Sequence, residues 1–221
     1  HTFGYDRTRE LSYLVLRHRM APLPADAHAV SKNIALVKHA LNLAASARGT
    51  DTMKGGAAPG PYPVENRSTA MPAVDRDAPG GAAMLGEMDE RSVDALLRSC
   101  GVDPARPLML VNAPAGWETK RWDVQKTAAL ADRLISGYNA QIIYTGSGGD
   151  SAFVEGIISR MRYPAVNAAG RTSLKELACL IKRAQIMITT DSGPMHLAAT
   201  VGTPIVAIFG PTAPWRTGPC T

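Results

Sequence analysis

The sequence predicts an α/β protein built on a Rossmann-like parallel sheet flanked by helices, and three observations predict it. From residue 107 onward, short apolar runs alternate with segments of helical periodicity about ten residues long, the pattern of consecutive strand–helix–strand units. The apolar runs are continuous rather than alternating, as strands covered on both faces are. Turn and helix-start residues follow each run, so the chain leaves every strand by a loop that opens a helix.

The first residues are the least patterned. Tyr5 and the charged patch Asp6, Arg7, Arg9 and Glu10 precede an apolar run, 11–16, that could be a strand of a preceding domain; Pro22 and Pro24 break it. Apolar residues at 30, 34, 37 and 41 then recur with helical period, which predicts an amphipathic helix over 28–43. His28 and His39 on it read as surface or packing residues. Residues 46–83 are rich in Gly, Pro, Ala and Ser without periodicity and read as an exposed linker or long loop. A helical pattern over 84–100 is closed by Gly101 and Pro104.

The alternation proper begins with a strand at 107–112 and a helix at 123–136, apolar at 124, 127, 128, 131, 134 and 135. A strand at 141–145, a helix at 151–161 and a short strand at 165–167 follow. The helix at 173–182 is opened by a Ser-x-x-Glu capping box, Ser173 to Glu176. A strand at 186–190 leads through Asp191-Ser192-Gly193 into a short helix at 195–201, with Pro194 expected as its first helical residue and Gly202 ending it. The last predicted strand, 204–209, leaves by the turn Gly210-Pro211-Thr212. Three units result: 1–45, the linker at 46–83, and an α/β domain over 84–221.

Composition narrows the function. The chain has 221 residues, long enough for one α/β domain with a sizeable core plus a remnant. A start at His1 rather than Met, and a stop just past a functional-looking loop, predict a fragment of a larger protein. The net charge of +5 and pI near 9.3 suit anionic ligands or an anionic membrane surface. Nucleic acid is disfavoured, because the basic residues are scattered and only 5% of the chain is aromatic. Cys100, Cys179 and Cys220 form neither a CxxC pair nor a metal-ligand spacing, which predicts reduced thiols and no metal site. No apolar run approaches the roughly 20 residues of a membrane span and no signal peptide is visible, so any membrane contact is expected to be peripheral.

Ligands of parallel sheets bind beyond the carboxyl ends of the strands, so the residues just after each strand matter most. After the first come small residues, then Lys120 and Arg121; diphosphate binding and a solvated basic turn are both open readings, while Trp122 reads as structural. After the second, Gly146 opens a Gly-rich loop, 145–150, that lacks the Gly-Lys-Ser/Thr ending of a nucleoside-triphosphate loop; nucleoside contact and a plain tight turn both fit. The loop at 169–172 reads as structural. Asp191, Ser192, Gly193 and His196 form the strongest set. A carboxylate ending a buried strand is costly unless it binds something, Gly193 permits close backbone approach, and His196 lies on the first turn of the helix beside the crevice.

The stretch TTDSGPMHLAA followed by PIVAIFGPTAP resembles the signature of the glycosyltransferase family 9 heptosyltransferases, and NAPAGWETKRW is similar to the family's other marker loop. GYDRTREL and HAVSKNIALV are similar to the family's end of the N-terminal domain and start of the connection. The resemblance implies a GT-B fold, with 1–45 as the end of the N-terminal acceptor domain and 84–221 as the nucleotide-sugar domain. It implies Lys120 on the diphosphate, Asp191 on heptose hydroxyls, Ser192 and Gly193 offering backbone N–H groups, His196 reaching the phosphates, the Gly146 loop approaching adenosine, and Thr212 in the second turn beside the ligand. The implied reaction is an inverting transfer of heptose from ADP-heptose to the inner core of lipopolysaccharide on a lipid A–Kdo type acceptor. It needs no metal or cofactor and takes place on the cytoplasmic face of the inner membrane. Positive charge from Lys120 and the helix dipole would stabilise the leaving diphosphate. The family's catalytic base lies near the start of the N-terminal domain, a region this chain lacks, so no base is assigned. Ala213 stands where several members carry Asp, and the loop at 113–116 lacks the hydroxyl that some present. Two other classes share the architecture: a nucleotide-sugar epimerase, which needs carboxylates in both half-domains, and a non-catalytic nucleotide-binding module.

Overall fold

A computed structural model of the chain describes residues 2–5, 18–20, 37, 85–212 and 217–218. Its centre is a fully parallel sheet. Strands β1 (Thr2–Tyr5), β2 (His18–Met20), β3 (Leu108–Asn112), β4 (Gln141–Tyr144), β5 (Val166–Asn167), β6 (Ile186–Thr190) and β7 (Ile205–Ile208) lie in the order β2-β1-β7-β6-β3-β4-β5. The predicted Rossmann-like α/β fold is therefore observed. The expected strand over 11–16 and linker over 46–83 lie outside the described residues. Of the helix expected over 28–43 only Val37 is described; it is helical and fully buried.

Strands β3, β4, β6 and β7 are buried on both faces because each face carries its own helices. Met109 and Val111 of β3, Ile142 and Tyr144 of β4, Ile186 and Ile188 of β6, and Val206 and Ile208 of β7 meet helices α2 (Val124–Tyr138) and α3 (Ser151–Ile158). The alternate residues, Leu108, Leu110, Ile143, Met187, Ile205 and Ala207, meet α1 (Glu87–Ser99), α4 (Leu174–Arg183) and α5 (Gly193–Thr200). Continuous apolar sequence is what this arrangement demands, since a period of two puts successive side chains on opposite covered faces. Burying one Leu, Ile or Val side chain is worth about 1.5–3 kcal/mol, which makes these strands the most stable part of the molecule.

The helices begin where their caps stand. The Asp123 side chain accepts from the Lys126 amide at 2.9 Å, and Ser173 and Glu176 form the reciprocal pair the sequence predicts. Helix α5 starts one residue before the expected position: Gly193 is its first residue and Pro194 its second, with Ser192 as N-cap. Gly170 is the one position where glycine is required twice over. Its φ is +74°, and a Cβ there would sit 2.6 Å from the Gly148 Cα, where the loops after β4 and β5 touch.

Numbered from β3, the five strands β3 to β7 run 3-2-1-4-5 across the sheet, with the order reversing between β3 and β6. The β3–β6 pair, in register from Met109↔Ile186 to Asn112↔Thr189, opens a crevice at its carboxyl end. The site is built there.

Candidate functional site

Three loops converge on this crevice, and their geometry follows from the strands that deliver them. Asn112 closes β3, Thr189 and Thr190 close β6, and all three side chains are buried at the switch point. Asp191 comes next and is 6% exposed. Its Oδ2 accepts from Lys120 Nζ at 2.8 Å, Thr212 Oγ1 at 2.5 Å and Thr217 Oγ1 at 3.1 Å. One carboxylate oxygen thus ties together the loop after β3, the turn after β6 and the loop after β7. Burial alone would push the Asp191 carboxyl up, but the Lys120 ammonium and the two hydroxyls outweigh it and hold it below the usual carboxylate range.

Lys120 is brought to Asp191 by a single 3-10 turn, Glu118–Lys120, and its side chain keeps about a fifth of its surface open to solvent. That turn packs against the loop after β7: a Cβ on Gly210 would stand 3.1 Å from the Thr119 carbonyl oxygen. Arg121 points elsewhere, with its guanidinium 5.4 Å from the centre of the Phe153 ring and its Nε donating to the Ala115 carbonyl at 3.4 Å. Trp122 is 4% exposed within the α2 face of the core, the structural role its sequence position predicts.

At the start of α5 the backbone N–H groups of Ser192 and Gly193 have no acceptor among the described residues. They sit at the positive end of the helix dipole, beside the Lys120 ammonium, and together these donors can receive a doubly charged phosphate group. The Ser192 hydroxyl is engaged, accepting from Asn112 Nδ2 at 3.1 Å and donating to the Thr190 carbonyl at 3.2 Å. His196 is exposed on the first turn of α5 and makes no side-chain hydrogen bond or ion pair among the described residues. Gly146 lies in the adjacent loop, where a Cβ would stand 3.3 Å from Pro114 Cγ.

The structure therefore joins Lys120, Asp191 and Thr212 directly, with Ser192 and Gly193 on the same turn. Gly146 and His196 stand apart from that contact set. The buried carboxylate that looked costly in the sequence is met by a lysine 71 residues earlier, a pairing invisible until β3 and β6 are neighbours. Sequence reasoning missed Asn112 and Thr217. For Asn112 a signal existed, a polar residue at the end of an otherwise apolar strand; for Thr217 none did. Cys100 and Cys179 are free thiols, as expected, and Cys220 lies outside the described residues.

Comparison with known proteins follows the same outline. A sequence model of glycosyltransferase family 9 (heptosyltransferase) matches residues 65–221. Over 104 residues the chain is 39% identical to lipooligosaccharide heptosyltransferase 2 of Haemophilus influenzae, covering 45% of this chain and 30% of that protein. It is 39% identical over 95 residues to lipopolysaccharide heptosyltransferase 3 of Escherichia coli, covering 42% of this chain and 28% of that one. Among solved structures, it is similar to a glycosyl transferase family 9 protein of Veillonella parvula (TM-score 0.59, 28% identity, 62% of this chain and 40% of that one). It is also similar to the E. coli ADP-heptose lps heptosyltransferase II (TM-score 0.53, 28% identity, 59% of this chain and 40% of that one). The chain thus spans about a third of the length of the curated relatives it matches.

Proposed function

This chain belongs to glycosyltransferase family 9, and from that membership we propose that residues 84–221 are the donor-binding domain of a lipopolysaccharide heptosyltransferase. The observation that carries the reading is the apposition, at the β3–β6 switch point, of Lys120, Asp191 and the amides of Ser192 and Gly193, which have no acceptor among the described residues.

In this reading the amides and the Lys120 ammonium receive the diphosphate of ADP-heptose, and His196 reaches the same phosphates from the first turn of α5. Asp191 and Thr212 face the sugar hydroxyls, and the loop at Gly146 approaches the adenosine. The acceptor hydroxyl, deprotonated by a base on the acceptor domain, attacks the anomeric carbon from the side opposite the leaving group. The carbon–oxygen bond to the diphosphate breaks, the electron pair leaves with ADP, and the configuration inverts. The negative charge that accumulates on the departing phosphate oxygen is met by Lys120 and the α5 dipole. The chain's side chains thus bind, orient and stabilise charge, without a metal. The acceptor is the inner core of lipopolysaccharide on lipid A–Kdo, reached from the cytoplasm by peripheral contact with the inner membrane. Among the described residues no helix is long and apolar enough to cross a membrane.

Lys120 plays a double part. It neutralises Asp191 at 2.8 Å, and diphosphate binding draws on the same ammonium. Lys120→Ala is expected to weaken ADP binding by about 1–3 kcal/mol, roughly 5- to 150-fold, the range for a charge-assisted hydrogen bond. Calorimetric titration of the protein and the variant with ADP measures this. Equal affinity in both, with folding intact, would remove Lys120 from the diphosphate.

A further inference from the structure

Resting on the donor-site reading, we propose that Asn112 is a positioning residue of that site, a buried amide that fixes where the Ser192–Gly193 turn presents its backbone donors. Asn112 is the last residue of β3, 3% exposed, directly at the point where strand order reverses. Both donors and the carbonyl oxygen of its side chain are engaged. Nδ2 donates to the Pro114 carbonyl at 3.1 Å and to Ser192 Oγ at 3.1 Å, while Oδ1 accepts from Thr145 Oγ1 at 3.2 Å. Pro114 belongs to the loop after β3, Thr145 to the loop after β4 and Ser192 to the turn after β6. One planar group therefore cross-links three separate loops around the crevice.

The chemistry of the group explains why an amide stands there. Only Asn or Gln carries two donors and an acceptor in one plane, and Asn, one methylene shorter, holds that group close to the end of β3. Asp in its charged form would lose both donors and set a carboxylate against the Pro114 carbonyl. An apolar residue would orphan the Thr145 hydroxyl and release the Ser192 one. The network extends one layer further: Ser192 Oγ donates to the Thr190 carbonyl at 3.2 Å, and Thr190 Oγ1 donates to the Pro114 carbonyl at 2.9 Å. A connected buried polar network favours one geometry, and here the element it fixes is the N-cap turn that presents the Ser192 and Gly193 amides. Asn112 touches neither the ligand nor the reacting atoms; it acts through Ser192.

The test is a cycle of Asn112→Ala, Ser192→Ala and the double variant, with Leu134→Ala, a core truncation on α2, as a control for destabilisation alone. ADP affinity is read by calorimetry, and the position of the 192–193 turn by crystallography of Asn112→Ala. Asn112→Ala is expected to weaken ADP binding about tenfold, the scale of one lost hydrogen bond. The double variant is expected to be no weaker than the weaker single, Leu134→Ala to bind as the parent does, and the turn to be displaced. Unchanged affinity in Asn112→Ala, losses that add in the double variant, or an unmoved turn would overturn the proposal. If Asn112→Ala does not fold, Thr145→Val, which frees the amide to rotate, is expected to show a smaller loss and the same coupling to Ser192→Ala. Failure of the parent protein to bind ADP would instead sink the donor-site reading, and the position of the turn would then decide the role of Asn112.

Discussion

Asp191 is the residue on which the crevice closes. Its side chain is nearly inaccessible, yet it stays charged because an ammonium and two hydroxyls point at one oxygen. Breaking a buried pair strands the remaining charge, so the Lys120–Asp191 contact holds the two loops together. Acid should expose this. The Asp191 carboxyl is held below its ordinary value of 3.8 in the fold, so the unfolded chain binds that proton more readily than the folded one. The stabilisation is fully present above 3.8 and is lost as pH falls through the lower, folded value. Asp191→Asn is therefore expected to melt lower than the parent at neutral pH, and the gap between the two melting temperatures should close on acidification below 3.8. Thermal unfolding followed by circular dichroism across that range checks it; a gap that is constant with pH would show that the carboxylate contributes no charge-dependent stability.

Among the elements, those that sequence reveals well are those whose cause is local or periodic. Strands β3, β4, β6 and β7 were legible as apolar runs because both faces of each are covered. Helix α4 was legible from its cap, and Ser173→Ala is expected to cost about 1 kcal/mol of stability, the usual worth of an N-cap, readable in urea unfolding. A loss near zero would mean that the Glu176 half of the box holds the helix start unaided. Elements whose cause is distant were not legible. The 3-10 turn that delivers Lys120 is shaped by the loop after β7 through Gly210. Strand β1 pairs with β7 through the register Thr2↔Ile205, and β2 pairs with β1, from a segment whose sequence carries no strand pattern at those positions. The same division runs through the site: Asp191, Ser192 and Gly193 follow one another and could be read together, whereas Asn112 gains its meaning only from partners 33 and 80 residues away.

At the scale of the molecule, function follows from where the sheet reverses. A parallel sheet wound in both directions leaves its crevice where neighbouring crossovers go to opposite faces. Here that place carries a pair of amides with no acceptor among the described residues, a helix N-terminus and a lysine. The relatives in family 9 that this chain resembles are named as heptosyltransferases. Under the proposed reading, the donor half of such a transfer draws on what the crevice offers, positive charge and backbone donors for a diphosphate.

The crystal structure of the protein with ADP tests this account most directly. The account predicts phosphate oxygens within about 2.7–3.2 Å of the Ser192 and Gly193 amide nitrogens and of Lys120 Nζ, with Asp191 still turned toward the crevice. A diphosphate bound elsewhere on the sheet, with the Lys120–Asp191 pair undisturbed and the two amides facing only water, would contradict it.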